Sequence, residues 1–145
     1  MRLHKNALDS YAAVQVTTGV ATADSAQLIL MLFDGFLESL AFARGHIQRN
    51  NIEAKSKALT KAGRIVLGLQ SALDFDKGNQ LAQNLDELYS YITRRLLHIN
   101  ANDDLQALEE VHGLMSDIRD AWTTLPGVRA PGMGMGMGQP LRLAS

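Results

Sequence analysis

The sequence predicts an all-α fold: an antiparallel up-down four-helix bundle, with an N-terminal capping segment before it and a flexible C-terminal tail after it. Three observations carry this. No proline occurs between residues 22 and 125. Within that span, four segments of about 20 to 26 residues repeat apolar side chains at steps of three and four, the spacing that places them on one face of a helix. Turn-forming residues divide the segments at Asn50-Asn51, at Asp74 to Gly78, and at Asn100 to Asp104. Four helices of similar length joined by short links pack most simply up-down-up-down.

The leading segment, 1–21, holds one short amphipathic piece around Leu8, Tyr11 and Val14, followed by a threonine-rich connection. Its AAVQVTTGVA stretch is the only candidate strand and reads as a loop. The bundle proper spans 22–125. Its first helix, about 25–49, opens on Asp24 and Gln27, the layout of a capping box, in which a side-chain oxygen accepts from a free backbone N–H. Ile29, Phe33, Phe36, Leu40, Ala43 and Ile47 form its stripe. In Leu28 to Ala43, LILMLFDGFLESLAFA, twelve of sixteen residues are apolar. A surface helix needs only three or four apolar positions in every two turns. The surplus calls for neighbours on more than one side, or for grooves that receive a partner.

The second helix, about 52–73, offers Ala58, Ala62, Ile65, Leu69 and Ala72, with Leu59, Val66 and Leu73 alongside. The third, about 79–99, runs Leu81, Leu85, Leu88, Ile92 and Ile99, widened by Tyr89 and Leu96. Tyr89 and Tyr91 are two apart, about 200° around a helix, so they cannot share a face. At least one of them looks toward a groove or solvent. The fourth, about 104–123, shows Leu105, Leu108, Val111, Met115, Ile118 and Trp122, capped through Asp103 with Gln106 or through Asp104. The stretch 126–145, PGVRAPGMGMGMGQPLRLAS, is rich in glycine and proline and has no acid. It cannot bury enough surface to offset its ordering entropy and reads as a mobile tail.

Composition excludes several function classes. The net charge of −1 gives no nucleic-acid footprint, and the absence of cysteine removes disulfides, thiolate metal sites and thiol nucleophiles. The basic Met1 to Lys5 is not followed by the apolar core of a signal peptide. The longest strictly apolar run, Leu28 to Phe33, is six residues, against about 20 needed to span a bilayer. A soluble cytoplasmic protein without membrane insertion is expected. Residues 51–73 carry a net charge of +3 and residues 103–122 a net of −5. Solvated faces are the default account of such charges, and orientation of a bound peptide is the functional one.

Chemistry is hard to find. Glu109 and His112 have Glu-x-x-His spacing, but a dimetal carboxylate centre needs two such motifs, and Glu38, Glu53 and Glu87 are followed at the third position by Ala41, Ser56 and Ser90. No nucleophile elbow or phosphate loop is present. Neither metal, cofactor nor catalysis is expected. The Met-Gly alternation reads as tail rather than as a thioether metal site.

Short motifs stand in order along the chain: Thr22 to Leu28, Leu32-Phe33-Asp34-Gly35, Lys61 to Leu69, Asn84 to Leu105 and Ile118 to Trp122. In their order and spacing, from Tyr11 to Trp122, they resemble the FliS flagellar secretion chaperone family, which has T-A-S-P-x-x-L at the first and L-Y-D-G at the second. Lys61, Ala62, Ile65 and Leu69 match K-A-x-x-I-x-x-x-L. Asn84 to Leu105, NLDELYSYITRRLLHINANDDL, follows N-L-x-x-L-Y-x-Y-x-x-x-R-L-x-x-A-N-x-x-x-D, and Ile118 to Trp122 is similar to L-R-x-A-W. Asp24-Ser25 replaces Ser-Pro, Phe33 replaces a tyrosine, and Ile99 replaces a small alanine.

The resemblance implies a non-enzymatic export chaperone. Such a protein binds the disordered C-terminal segment of flagellin in the cytoplasm, prevents early polymerisation and helps deliver it to the flagellar export apparatus. Other flagellar regulators are further expected partners, and the chaperone is a monomer or a homodimer. The resemblance places the client on the second to fourth helices, at Lys61, Ile65, Leu69, Tyr89, Tyr91 and Leu96, together with Tyr11. The leading segment is expected to lie over such a groove in the free protein. The alternative is a four-helix adaptor or dimerisation module for another amphipathic helical partner.

Overall fold

The computed structural model describes residues 25–124. The segments 1–21 and 126–145, the Asp24 cap and Tyr11 lie outside the described residues. Within them are four helices: α1 Ser25–Gln48, α2 Ile52–Ser71, α3 Phe75–Asn102 and α4 Leu105–Trp122.

Each link is set by its own turn chemistry. After α1, Asn50 takes a left-handed conformation, φ 57°, which asparagine tolerates better than most residues. Asn50 N–H then donates to the Ile47 carbonyl and Asn51 N–H to the His46 carbonyl, at 3.1 and 2.8 Å. These two bonds close the helix as a Schellman motif. Asn51 at once caps α2, its side chain accepting from Ala54 N–H at 3.2 Å. The Asp74 carboxylate caps α3 by accepting from Asp76 and Lys77 N–H, at 3.1 and 3.2 Å. The stretch from Phe75 to Gly78, which reads as turn in the sequence, is therefore the first turn of α3. Between α3 and α4, Asp103 is left-handed at φ 54° and Asp104 takes the cap, accepting from Ala107 N–H at 3.0 Å.

Each helix packs on its sequence neighbours, and α1 also packs on α4, while in the diagonal pairs α1/α3 and α2/α4 no Cα atoms approach within 8 Å. The side-chain partners fix the directions. Trp122 Nε1 donates to the Ala26 carbonyl at one end of α1, and Arg44 reaches Glu109 at the other. Ser56 meets Asn100 and Gln70 meets Asp86. The bundle is antiparallel throughout.

Phe33, Phe36, Leu40, Val66, Ile92, Ile99, Leu108, Val111 and Met115 are the largest fully buried members of the core shared by all four helices. Phe33 meets Trp122 at 6.3 Å between ring centroids, tilted by 58°, so its ring fills an apolar place where no hydroxyl would need a partner. Ile99 is fully buried, and the bundle accommodates its extra bulk.

The apolar surplus of α1 goes mainly into the core, because this helix is flanked by both α2 and α4. Phe42 is the large side chain left over, 56% exposed. By length and composition α1 also passes as a membrane-crossing helix, a property that strict apolar runs miss. Its Phe36, Leu40 and Ala43 are fully buried in the bundle core.

The basic α2 and the acidic α4 lie diagonally opposite and do not face each other. The acids of α4 pair instead with arginines of its neighbours. Glu109 meets Arg44 at 2.6 Å and Glu110 meets Arg95 at 3.1 Å, while Asp34 of α1 receives Arg119. Such exposed pairs are each worth about 0–1 kcal/mol.

Candidate functional site

The structure separates the residues that the sequence singles out. Ile65, Leu69, Tyr89 and Leu96 are buried in the core cluster. Their apolar spacing is the one any bundle interior needs, so a partner reaches them only if the helices part. Tyr89 is 2% exposed, and burial pushes its phenol up to about 12. Lys61 is exposed. It sits one turn before Ile65, whose Cδ1 lies against α1 at Gly35, and so belongs to the flank of α2 that turns toward α1.

Tyr91 is partly buried on the seam between α3 and α4. Its hydroxyl donates to Glu110 Oε2 at 2.6 Å, and Arg95 Nε donates to Glu110 Oε1 at 3.1 Å. That hydroxyl bond raises the Tyr91 pKa and is the largest influence lowering that of Glu110, with Arg95 adding to the latter. The two directions agree, since both favour phenol beside carboxylate. Beside them a polar hollow of about 280 Å³ is lined by Arg95, Asp104, Gln106, Ala107 and Glu110.

The opposite side of α3 carries a different surface. Polar ties clamp α2 and α3 together at both ends. At one end Lys55 Nζ donates to the Asn100 carbonyl at 2.9 Å and to Asp103 Oδ1 at 2.7 Å, with Ser56 Oγ on Asn100 Oδ1 at 3.1 Å. At the other, Gln70 Nε2 donates to Asp86 Oδ1 at 2.8 Å and to Ser90 Oγ at 3.0 Å.

Between the clamps the two helices leave an open groove of about 510 Å³, lined by Thr60, Gly63, Arg64, Leu67, Gln70, Ser90, Thr93 and Arg94. Small residues make it: Gly63 and Thr60 from α2, Ser90 and Thr93 from α3. A methyl group at Gly63 would meet nothing within 4 Å. The Thr93 hydroxyl is satisfied by the Tyr89 carbonyl at 3.1 Å, within its own helix. Leu67 is 61% exposed in the groove, and Leu97, one turn beyond Thr93, is 68% exposed.

An open trough with small residues along it and exposed leucines beside it suits the apolar face of a helix. Among the described residues no group of three or more His, Cys, Asp and Glu is placed to hold a metal ion. Glu109, the first half of the Glu-x-x-His pair, is engaged by Arg44.

Sequence reasoning missed this groove. Stripe analysis rewards residues on the buried face, and Leu67 and Leu97 stand off it. That was the available signal: two leucines on amphipathic helices at positions the stripe does not need. Gly63 gave no signal, because a helical glycine is informative only once its open neighbourhood is known.

Comparison with known proteins bears on most of the chain. The sequence model of the family described as flagellar protein FliS matches residues 7–128. The flagellar secretion chaperone FliS of Salmonella typhimurium (strain LT2) is 47% identical over 116 residues, covering 79% of this chain and 86% of that protein. The protein of the same name from Escherichia coli (strain K12) is 45% identical over 114 residues, covering 78% and 84%. The flagellar secretion chaperone FliSB of Pseudomonas aeruginosa is 39% identical over 116 residues, covering 80% and 92%.

Proposed function

The chain belongs to the flagellar protein FliS family, and from that premise we propose that it binds the disordered C-terminal segment of flagellin, holds it back from premature polymerisation and hands it to the export apparatus. Its role is that of a flagellar secretion chaperone. Its work is binding in the cytoplasm, and the reading assigns it no catalytic step.

One observation carries the proposal of a site: the α2–α3 groove, clamped at both ends and open between, with Leu67 and Leu97 exposed beside it. A disordered segment that folds as it binds lays its apolar residues into such a preformed trough. Gly63, Thr60, Ser90 and Thr93 let the docked helix approach closely, and Leu67 and Leu97 contact it. Tyr91 and Lys61 mark the two neighbouring faces that a longer client would reach. Ile65, Leu69, Tyr89 and Leu96 support the groove from the core. Tyr11 belongs to the segment proposed to cover the groove until the client arrives.

The test is calorimetric titration of the full chain with the C-terminal peptide of flagellin from the same cell. One-to-one binding with favourable enthalpy opposed by ordering entropy supports the proposal. A folded bundle that gives no heat and no complex on a sizing column overturns it, and directs attention to an adaptor for another helical partner.

A further inference from the structure

The seam between α3 and α4 changes character along its length. Near the link it is polar: Tyr91 and Arg95 meet Glu110, and His98 meets Asp104. These pairs fix which faces meet. Further back along α3 the same face carries Leu88, Asn84 and Leu81, and further on along α4 it carries Leu114, Asp117 and Ala121. The half of the seam away from the link is therefore apolar at its centre. The same register brings Trp122, where α4 ends, level with about Gln80 of α3. Trp122 turns toward α1, its indole Nε1 on the Ala26 carbonyl and its ring against Phe33. Leu81 is left uncovered, 65% exposed. Glu87 and Asp117 stand at the rim, both exposed and neither paired among the described residues. The nearest base on α3, Lys77, lies past the end of α4, beside Asp76.

We propose that the stretch 126–145 of the same chain folds back along this half of the seam, with Met133, Met135 and Met137 covering Leu81 and Leu88. The family match ends at residue 128, so all three methionines lie beyond it. The stretch leaves α4 at the foot of the seam, and the turn-forming pair Pro126-Gly127 follows soon after Trp122. In extended backbone successive side chains point to opposite sides, so Met-Gly-Met-Gly-Met sets three thioethers on one face and bare glycine on the other. The first and third methionines are then ~13 Å apart, close to the ~10 Å that separate Leu81 from Leu88 along a helix. Methionine is unbranched and polarisable, and it fits irregular apolar surface of this kind. The stretch also carries Arg129 and Arg142 and no acid, which complements Glu87 and Asp117 at the rim. The end of α4 is thus held to α3 by the chain's own segment. That seam lies on the side of α3 away from the client groove, so both surfaces can be occupied together.

The experiment is paramagnetic broadening of amide signals in the full chain. The sequence has no cysteine, so Gln139→Cys provides a single site for a nitroxide beside the methionines and leaves all three in place. Circular dichroism melting confirms the fold of each variant. The expected result is that residues 81–88 and 114–121 lose most of their intensity when the nitroxide is oxidised and regain it on reduction. Residues 60–70 of α2, diagonally across from α4, should be much less affected. The loss should disappear with Leu81→Glu, and again with Met133→Ser, Met135→Ser and Met137→Ser made together. Isotope-labelled chain without the nitroxide, mixed with unlabelled chain that bears it, should show no loss, because the contact is made within one chain. Any of four results overturns the proposal: weak loss spread evenly over the bundle, loss centred on the α2–α3 groove, loss that survives both sets of substitutions, or loss in the mixed sample equal to that in the single chain.

Discussion

Replacing Gly63 by leucine should strengthen the fold and damage binding, a combination that few substitutions at a packed site could produce. Gly63 lies within α2, where a glycine costs about 0.5–1 kcal/mol relative to a good helix former. A Cβ added there meets no neighbour within 4 Å, and the open groove beyond it leaves room for the rest of the side chain, so no clash offsets the gain. For a bundle of this size the gain corresponds to a melting temperature higher by roughly 3–5 °C. In the complex the same leucine fills the trough where the client helix lies. Overpacking of that kind costs about 1–3 kcal/mol, which is an affinity loss of roughly five- to 150-fold.

Gly113 supplies the control. It also has no neighbour within 4 Å of an added methyl, but it lies on α4, away from the groove. Gly113→Leu should raise the melting temperature similarly and leave affinity unchanged. Thermal melting and peptide titration of both variants decide the matter. Equal affinity for Gly63→Leu and Gly113→Leu would refute the groove as the binding site, and a lowered melting temperature for Gly63→Leu would refute the open space at Gly63.

Other consequences are as specific. Leu67→Glu should abolish measurable peptide binding while shifting the melting temperature by less than about 2 °C, because an exposed side chain contributes little to the fold. Leu69→Ala, in the core, should cost about 2–5 kcal/mol in urea unfolding. Lys55→Met removes two hydrogen bonds from a buried ammonium, one of them to the half-exposed Asp103, and should cost about 2 kcal/mol. Lys57→Met, at an exposed 3.8 Å pair with Glu53, should stay within about 0.5 kcal/mol of the parent in the same unfolding series. Glu110 and Asp104 are both held below their ordinary pKa, by the Tyr91 hydroxyl and the Ala107 N–H respectively. Their stabilising contribution is present above the ordinary carboxylate range and is lost as pH falls through their lowered values. Melting temperature should therefore drop on acidification, and less steeply for Glu110→Gln.

Much of the fold was legible because helical spacing and turn chemistry are local. The core members Phe36, Leu40, Ile65, Ile92 and Val111 stand on stripes that any bundle would need. The stretch Asp74 to Gly78 misled for an equally local reason: aspartates close to a glycine suggest a turn, and only the bonds from Asp76 and Lys77 N–H show Asp74 capping the start of a helix. The site was legible only through resemblance, and the residues it suggested divide by depth. Those with apolar spacing, such as Leu69 and Leu96, turned out to be core. The groove depends on how far apart two helices stand, which Lys55 and Gln70 set through partners on α3 more than fifteen residues away. Periodicity within one helix carries no trace of that separation.

The central claim, that the client lies along α2 and α3, is tested most directly by amide hydrogen exchange on the full chain with and without the flagellin peptide. Added protection concentrated in residues 60–70 and 90–97, with α1 and α4 little changed, is the predicted result. Protection confined to α1 and α4, or a complex that protects no part of the α2–α3 face, would contradict it.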